Sequence, residues 1–485
     1  MTSYRFPESL RETLRSALPA DTSLHGGTPL AEHLYLPAVH AKALNPNNML
    51  VQGIRGSGKS FWYAALQGAD LRRLLGKAAG LPAASMVTTG FSEKPPGCHF
   101  PGKHSLSKLL DEHEAWRIWQ AVIFHQIMGR EAPAEFVAQQ GWSARIEWLA
   151  SHPEQLEQSL YECDQELQRR GTMHLVLFDA LDRSADDWQK MNGLLRGLLQ
   201  MILEFRPYRA IRLKVFVRPD QLEDASVMSF PDASKVMAQK VTLEWQRRDL
   251  YGLLWQYLAN ADQGAELFRE GVMACVPGII WRQTDGAWRV PDAMRSDEEV
   301  QRQVFHAITG PWMGRDKRRG LPYSWLPNHL ADSRSEVSPR TFLVALRQAA
   351  EDAPRAQQET ALHFESIKRG VQAASKIRVQ EIEEDYPWIR TLLTPLEGMS
   401  VPADSVDVRG KWEAVGALEA LRKGIHAETV RLPPLHIDEG PDGVLNDLVA
   451  LGLMERLKDG RINLPDVYRV GYGLRRKGGV KPAKS

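Results

Sequence analysis

The sequence predicts an α/β fold with a largely parallel sheet, followed by an all-helical segment and a small C-terminal unit. Between residues 48 and 245, short apolar runs alternate with longer helical patterns, which is typical of strand–helix–strand units. After residue 245 only helical periodicity continues. Near the end of the chain, a helical pattern over 444–457 leads into Asp459-Gly460, a strong hairpin-turn signal.

The apolar runs are the predicted strands of the sheet. The run from His174 to Phe178 is almost entirely apolar, as expected for a strand that is buried on both faces. Helical patterns over 59–75, 113–128 and 187–205 are predicted to cover the sheet. The five predicted strands lie at 49–53, 85–91, 174–179, 211–217 and 240–245.

Composition narrows the class of protein. A chain of 485 residues is too long for one core, so several domains are expected. Its 14 Trp, 14 Phe and 11 Tyr argue against a mainly disordered chain. We see no run of 18 apolar residues and no signal-peptide core, so we expect a cytoplasmic protein without a membrane partner. Three distant cysteines, Cys98, Cys163 and Cys275, form neither a disulfide framework nor a zinc motif.

Changes in pattern along the chain predict six segments. A strand-and-helix core is followed by a helical segment, then by a long polar helix that we interpret as a connector, and then by the small last unit. The predicted boundaries are 1–24 for an N-terminal extension, 25–245 for the core, 246–355 for the helical lid, 356–390 for the connector, 391–474 for the last unit and 475–485 for a basic tail.

A phosphate-binding loop is predicted at residues 53–60. This segment fits the pattern G-x-x-x-x-G-K-[ST], follows an apolar strand and opens a helix. Its glycines allow backbone N–H groups to face a phosphate, and the helix N-terminus adds partial positive charge. Lys59 is expected to reach the β- and γ-phosphates, and Ser60 to bind Mg²⁺; the alternative is a chance glycine-rich turn. The predicted nucleotide contacts are Gly53, Arg55, Gly56, Ser57, Gly58, Lys59, Ser60 and Phe61.

A second acidic motif follows the strand at 174–178. Four apolar residues that end in Asp179 form a Walker B pattern, in which Asp179 would hold Mg²⁺ at the carboxyl edge of the sheet. Asp182 lies three residues further on and is our candidate for orienting the attacking water. The alternative is a buried strand whose aspartate only caps a turn. Together with the loop at 53–60, the motif predicts an ATPase that uses ATP and Mg²⁺.

The segment Asp179-Ala-Leu-Asp-Arg183 resembles the corresponding element of the STAND and KAP branches of P-loop ATPases, and fits the wider AAA+ group that includes the Orc/Cdc6 initiators. The resemblance spans residues 25–355 by architecture and implies an AAA+/ASCE-type P-loop NTPase sheet with a helical lid. Those families commonly place glutamate beside the Walker B aspartate, whereas this chain has Ala180. The resemblance is weaker to ABC transporters and kinases, since no LSGGQ-like element is present.

Two arginines match sensor positions of the same group. Arg218 follows the strand at 211–217, where sensor 1 would lie near the γ-phosphate. Arg340 opens a helix after Ser338-Pro339, which resembles the sensor 2 element of an AAA+ lid. Both could instead be surface residues, and Ser338 with Pro339 is ordinary helix-start chemistry. The segment 36–40, which includes His40, lies where these families contact adenine.

A helix followed by a hairpin at the C-terminus predicts a winged helix, which in Orc/Cdc6-type proteins binds DNA. The candidate recognition helix is acidic, but residues 455–485 contain nine Lys/Arg and three Asp/Glu, a local charge of +6 in a chain of net charge +1. We therefore expect phosphate contacts from the hairpin and tail, and a solvated tail or a protein-docking wing is the alternative. The predicted DNA-contacting residues are Arg456, Lys458, Arg461, Arg469, Arg475, Arg476, Lys477, Lys481 and Lys484, interleaved with Tyr468 and Tyr472.

These motifs support two functional hypotheses. The first is an ATP-driven switch that forms homo-oligomers and acts with DNA, in a setting such as bacterial defence or mobile-element biology. The second is a signalling scaffold that recruits a separate effector protein without DNA. The sequence carries no nuclease, protease or deaminase constellation. The AAA+ resemblance implies an arginine supplied by a neighbouring subunit, for which Arg206, Arg209 and Arg212 are candidates.

Overall fold

The protein is described from a computed structural model. The chain divides into two compact units. The sheet unit comprises His25–Pro29 and Leu36–Glu244, and the helical unit comprises Met1–Leu24, Leu30–Tyr35 and Trp245–Ser485. The structure describes residues 4–19, 29–97, 99–185, 187–353, 359–427, 429–477 and 480–482.

The sheet unit is built on five parallel strands in the order β2-β3-β4-β1-β5. The order places β4 between β1 and β3, so two strands that are distant in sequence present their carboxyl ends at one edge. The α/β class and all five predicted strands are confirmed. The strands are β1 (Leu50–Gln52), β2 (Met86–Phe91), β3 (His174–Phe178), β4 (Ile211–Val217) and β5 (Val241–Thr242).

Helices accompany this sheet as predicted, with one difference. The helix expected over 59–75 is two helices, because the chain is extended at Gly68, which ends the first and begins the second. The α-helices of the sheet unit are Ala38–Leu44, Lys59–Gln67, Ala69–Ala79, Lys103–Glu112, Ala115–Met128, Ala134–Val137, Trp142–Ser151, Pro153–Arg170, Trp188–Glu204, Pro219–Glu223 and Ala233–Met237.

The core of the sheet unit is closely packed. All five residues of β3 are buried, as its apolar sequence predicts. Two helices, Ala115–Met128 and Trp188–Glu204, approach closely at Gly197, where a Cβ atom would lie 2.7 Å from the backbone of Ala115. The indole of Trp119 also donates a hydrogen bond of 2.7 Å to the carbonyl of Leu194. These contacts fix the scaffold on which the strand ends are held.

A fully buried lysine holds the chain segment that leads into β1. The ammonium of Lys214, in β4, donates to the carbonyls of Ala43 (2.7 Å), Asn45 (3.0 Å) and Asn48 (2.7 Å). Three acceptors match the three N–H donors of an ammonium, and two of them lie at the C-terminal end of the helix Ala38–Leu44. The start of β1 is therefore anchored directly to its neighbouring strand.

The helical unit also contains the N-terminal segment. Phe6, Leu10 and Leu14 join its core, and Arg11 donates to the carbonyl of Ala350 at 2.8 Å. The segment predicted as an extension thus packs through its apolar face. The α-helices of this unit are Leu10–Ala17, Arg247–Ala259, Ala265–Cys275, Asp292–Ser296, Glu298–Thr309, Pro322–Leu330, Pro339–Glu351, Phe364–Asp385, Trp388–Leu393, Ser405–Ala414, Ala417–His426, Pro441–Ala450 and Asp466–Arg469.

Two features of this unit differ from the sequence predictions. The segment 246–355, predicted as helical, also contains a hairpin of β6 (Arg282–Thr284) and β7 (Ala287–Arg289), whose turn is Asp285-Gly286 with positive φ at both residues. The predicted connector is the helix Phe364–Asp385, which is embedded in the unit: a Cβ at Gly370 would lie 2.1 Å from the carbonyl oxygen of Ala345. The small side chain allows this close approach, so the helix is part of the core.

The C-terminal segment contains the predicted helix and hairpin, with different bounds. The helix Pro441–Ala450 ends seven residues earlier than expected, before Gly452 at φ 77°. The hairpin of β8 (Glu455–Arg456) and β9 (Ile462–Asn463) closes through Gly460 at φ 84°. The assignment of this segment as a winged helix, like the six domain boundaries, stays a prediction.

Part of the predicted DNA-contacting cluster is buried. Arg469 is 0% exposed; it donates to Asp466 at 2.7 Å and to the carbonyls of Leu474 and Val480. Tyr468 and Tyr472 are buried as well. The prediction that these three side chains face DNA is wrong, because the tail packs back onto the unit and the arginine binds its carbonyls. Lys484 lies outside the described residues.

None of the helices in the described ranges is both long and apolar enough to span a membrane. In the same ranges, no group of three or more His, Cys, Asp or Glu is arranged to hold a metal ion.

Candidate functional site

The loop between β1 and the following helix has the backbone that a phosphate-binding loop needs. Gly56 and Gly58 have φ of 77° and 100°, in the left-handed region that favours glycine. A Cβ on Gly53 would lie 2.3 Å from the hydroxyl oxygen of Ser57, so a larger residue here would displace that hydroxyl. The helix then begins at Lys59, as the motif predicts. Together with the strand order, this loop gives the sheet unit the fold of a P-loop NTPase.

The side chain of Lys59 is held across the loop. Its ammonium donates to the carbonyls of Gly53 (2.7 Å) and Ile54 (3.0 Å). Burial lowers the pKa of Lys59 to about 8, against the opposing effect of the nearby Asp179 carboxylate and with a smaller contribution from Arg218. The lysine therefore lies on the carbonyl side of the loop, close to the predicted metal-binding carboxylate.

Ser60 and Asp179 are directly joined. The Ser60 hydroxyl donates to Oδ2 of Asp179 at 2.9 Å, although the two residues are 119 positions apart. Burial raises the pKa of Asp179 to about 6, against the opposing effects of Lys59 and the Ser60 hydrogen bond. Hydroxyl and carboxylate oxygens are ligands that Mg²⁺ prefers. The pair fits the metal that the two motifs predict, and the roles of both residues stay predictions.

An arginine connects two carboxylates at the same edge. Arg218, at the end of β4, donates to Asp182 and to Asp220, each at 3.1 Å. Its side chain is only 8% exposed. Burial raises the pKa of Asp182, but Arg218 and Lys59 outweigh that effect and the net pKa is lowered. Asp182 therefore stays ionised. Asp220 was not singled out from the sequence, although its place two residues after Arg218 was a usable signal.

Glu93 is a second carboxylate that sequence reasoning missed. It lies two residues beyond β2 and forms an ion pair of 2.8 Å with Arg183, which follows Asp182. The backbone N–H of Asp179 donates to the carbonyl of Phe91 at 3.0 Å, so the ends of β2 and β3 are adjacent. The signal was the polar sequence Ser92-Glu93-Lys94 directly after an apolar strand. The edge thus offers three acidic groups beyond the metal-binding pair: Asp182, Asp220 and Glu93.

The structure brings Lys59, Ser60, Asp179, Asp182 and Arg218 to one edge of the sheet unit. Arg340 belongs to the helical unit, where it pairs with Glu381 at 3.0 Å. Ser338 caps its helix, as predicted. The sensor role of Arg340 stays a prediction.

His40 is buried and does not offer a free ring nitrogen. The indole of Trp62 can only donate, so its 3.0 Å contact makes Nδ1 of His40 the acceptor. Nε2 of His40 then donates to the carbonyl of Glu244 at 3.1 Å. The prediction that this ring contacts adenine is therefore wrong. The ring instead holds the helix that carries Lys59, through its hydrogen bond with Trp62. Adenine contact by the remainder of the segment 36–40 stays a prediction.

This arrangement predicts acid sensitivity. Burial lowers the pKa of His40 from 6.5 to about 4, so between these values the unfolded chain binds a proton that the folded chain does not. The free energy of unfolding should therefore fall as pH decreases from about 6.5 to about 4, by up to about 1.4 kcal/mol per pH unit from this residue. Urea unfolding of the protein and of His40→Gln between these pH values isolates the contribution, since glutamine does not titrate. Parallel pH profiles would contradict the assignment.

The three candidate finger arginines lie at the opposite, amino edge of the sheet. Arg206 and Arg209 are exposed just before β4. Arg212 is partly buried, and its guanidinium donates to the side chain of Asn47 at 3.0 Å. This favours Arg206 and Arg209 as residues for a neighbouring subunit to use, and the role itself stays a prediction.

Comparison with solved structures gives two matches of low similarity. A Walker-type ATPase of Pyrococcus abyssi aligns over 93% of this chain and 97% of its own, with a TM-score of 0.37 and 13% identity. The ORC2 protein of Aeropyrum pernix, in ADPNP and ADP complexes, aligns over 95% of this chain and 98% of its own, with a TM-score of 0.27 and 12% identity. No family model matches the chain, and no curated protein matches it. Likenesses of this size do not decide function, which we infer from the site residues.

Proposed function

We propose that the protein is a Mg²⁺-dependent ATPase that works as a nucleotide-controlled switch. The observation that carries this proposal is the hydrogen bond between Ser60 and Asp179, with Lys59 beside it on a glycine-shaped loop. Residues from two distant motifs meet at the carboxyl edge of a parallel sheet, where ligands of such sheets bind. A chance glycine turn and a turn-capping aspartate would not account for this meeting.

Each side chain has a task in this proposal. Backbone N–H groups of the loop and the ammonium of Lys59 bind the phosphates. Ser60 and Asp179 would hold the metal ion, which when bound would supply positive charge beside the transferred phosphoryl group. Asp182 orients the attacking water, and Arg218 fixes that carboxylate.

The ion pair between Arg218 and Asp182 favours slow turnover. A carboxylate with a lowered pKa is a weak proton acceptor, although it can still orient a water molecule. A long-lived ATP state suits a switch better than a motor. The direct test is ATP hydrolysis with Mg²⁺ and with EDTA. Hydrolysis that persists unchanged in EDTA would refute the metal-dependent proposal.

The finer proposal is that the ATP state controls assembly and contact with DNA, in a setting such as bacterial defence. Support comes from the exposed positive charge that the described tail retains at Arg475, Arg476 and Lys477. The second candidate is a scaffold that recruits a separate effector protein. Its support is the burial of Arg469, Tyr468 and Tyr472, which reduces the predicted DNA-contacting surface. Salt-dependent DNA binding distinguishes the two.

Self-association should depend on ATP. In the AAA+-like proposal a neighbour's arginine completes the site, so a non-hydrolysable analogue should shift the protein from monomer to oligomer at micromolar concentration. Light scattering measures the shift. Arg206→Ala or Arg209→Ala should lower turnover by roughly 10³-fold if that residue is the finger. A protein that stays monomeric with analogue bound would contradict the prediction.

A further inference from the structure

A loop in the helical unit carries a concentrated positive charge. Residues 314–320, here called the basic loop, contain four cations and one carboxylate, a net charge of +3. The four cationic side chains are exposed, and none of them pairs with a carboxylate in the part of the chain that the structure describes. The cations are Arg315, Lys317, Arg318 and Arg319.

Two hydrogen bonds shape the backbone of the basic loop. The N–H of the buried Met313 donates to the carbonyl of Gly320 at 2.9 Å and closes the loop at its base. Asp316, the single acid, accepts the backbone N–H of Arg318 at 2.9 Å and caps a short turn over Lys317–Arg319. The carboxylate therefore shapes the backbone instead of neutralising a guanidinium. A loop shaped by internal hydrogen bonds loses less conformational entropy on binding than a loop without them.

We propose that the basic loop binds the phosphodiester backbone of a nucleic acid duplex. A duplex presents about one negative charge per 1.7 Å of its axis, so adjacent cations on one loop can meet adjacent phosphates. Three of the four cations are arginines, whose planar guanidinium matches phosphate geometry. This proposal rests on the DNA-dependent form of the proposed function. It identifies the basic loop as a surface through which the protein would contact the duplex.

The composition of the loop favours this ligand over two others. Protein interfaces concentrate aromatic residues and methionine at their centre, and residues 314–320 contain neither. Proteins that bind single strands stack bases on aromatic rings, and residues 314–320 contain no Phe, Tyr or Trp. The loop offers positive charge on a hydrogen-bonded backbone, which suits contact with the phosphates of a duplex without sequence preference.

A second group of cations lies at the far end of the next helix. The helix Pro322–Leu330 starts just after the basic loop and is about 13 Å long for its nine residues. Near its end, His329 hydrogen-bonds Asp466 at 2.6 Å, and Asp466 lies 3.6 Å from Arg476 of the tail. The exposed tail residues 475–477 thus stand about one short helix away from the loop. The loop and the tail can contact one duplex at two places.

Charge removal in the full-length protein tests the proposal. The probes are a fluorescent DNA duplex and an RNA duplex of the same sequence, with anisotropy measured from 50 to 300 mM salt. One variant neutralises the tail at Arg475, Arg476 and Lys477, which avoids truncation because Val480 is buried. The loop variant carries four alanines at Arg315, Lys317, Arg318 and Arg319, and the control carries four alanines at the exposed sheet-unit residues Lys108, Arg130, Arg169 and Arg170.

The loop variant should bind at least about tenfold more weakly, and its log–log salt slope should be flatter by about 3, because each lost phosphate contact removes about 0.9. The tail variant should flatten the slope by about 2, and the control should match the unmodified protein. Binding to DNA and RNA duplexes alike identifies the shared backbone as the ligand. An unchanged slope in the loop variant overturns the proposal. Absence of duplex binding overturns the proposal. Equal binding to polyglutamate overturns it in favour of an acidic protein partner. Either result leaves the ATPase proposal standing if ATP still binds.

Discussion

Replacing Lys59 by alanine should reduce affinity for ATP by at least about 100-fold. In the proposed site the ammonium is the charge of the loop that binds the β- and γ-phosphates, and its hydrogen bonds to phosphate are charge-assisted. In the structure the ammonium donates to the carbonyls of Gly53 and Ile54. Both hydrogen bonds are only partly buried, so we expect their loss to lower the free energy of unfolding by only about 1 kcal/mol.

Isothermal titration with ATP and Mg²⁺ measures this loss. Lys240→Ala is a matched control, because Lys240 is another lysine of the sheet unit that makes a side-chain hydrogen bond, to Gln52 at 2.6 Å. Circular dichroism verifies that both variants are folded. If Lys59→Ala titrates like the unmodified protein, the loop at 53–60 is not the nucleotide site.

Hydrolysis should separate from binding at Asp182. Asparagine keeps the shape of the side chain and can still accept from Arg218, but it lacks the charge that holds a water molecule for attack. We expect Asp182→Asn to bind ATP with nearly unchanged affinity and to turn over roughly 10²-fold or more slowly, the scale of one positioned acid–base group. Single-turnover hydrolysis with a parallel titration measures both quantities.

Glu93→Gln is the matched comparison for that experiment. It makes the same change, carboxylate to amide, in a second acid at the same edge, whose partner is Arg183. We expect its turnover to stay within a few-fold of the parent rate. The reverse result, with Asp182→Asn active and Glu93→Gln inactive, would assign the water-orienting role to Glu93.

The parts of the fold that depend on local pattern could be predicted from the sequence. The five strands follow from apolar runs, and the loop at 53–60 follows from glycine spacing that allows few backbones. The proximity of Ser60 and Asp179 could also be predicted from the sequence, because parallel strands present their carboxyl ends at one edge of the sheet. These inferences required no knowledge of which side chains pack against each other.

The features that could not be predicted from the sequence depend on contacts between distant residues. The partner of Arg218 and the pairing of Glu93 with Arg183 require the strand order β2-β3-β4 and its register. In the sequence, Arg469 does not differ from the other basic residues of the tail. In the structure, it donates to Asp466 and to two backbone carbonyls. A count of charges along the sequence assumes that every arginine is exposed. That assumption is wrong for Arg469, which is 0% exposed.

The place of the N-terminal segment has a consequence for how the protein is made. Phe6 and Leu10 share one core with Val470 and Val480, whereas the sheet unit lies between them in sequence. On the ribosome, the sheet unit can fold once Glu244 has emerged, but the helical unit must wait for Val480, 236 residues later. At about 5–20 residues per second this delay is roughly 10–50 s. During that interval the first helix has an apolar face without its partners, so chaperone binding to the nascent chain should concentrate at residues 6–14.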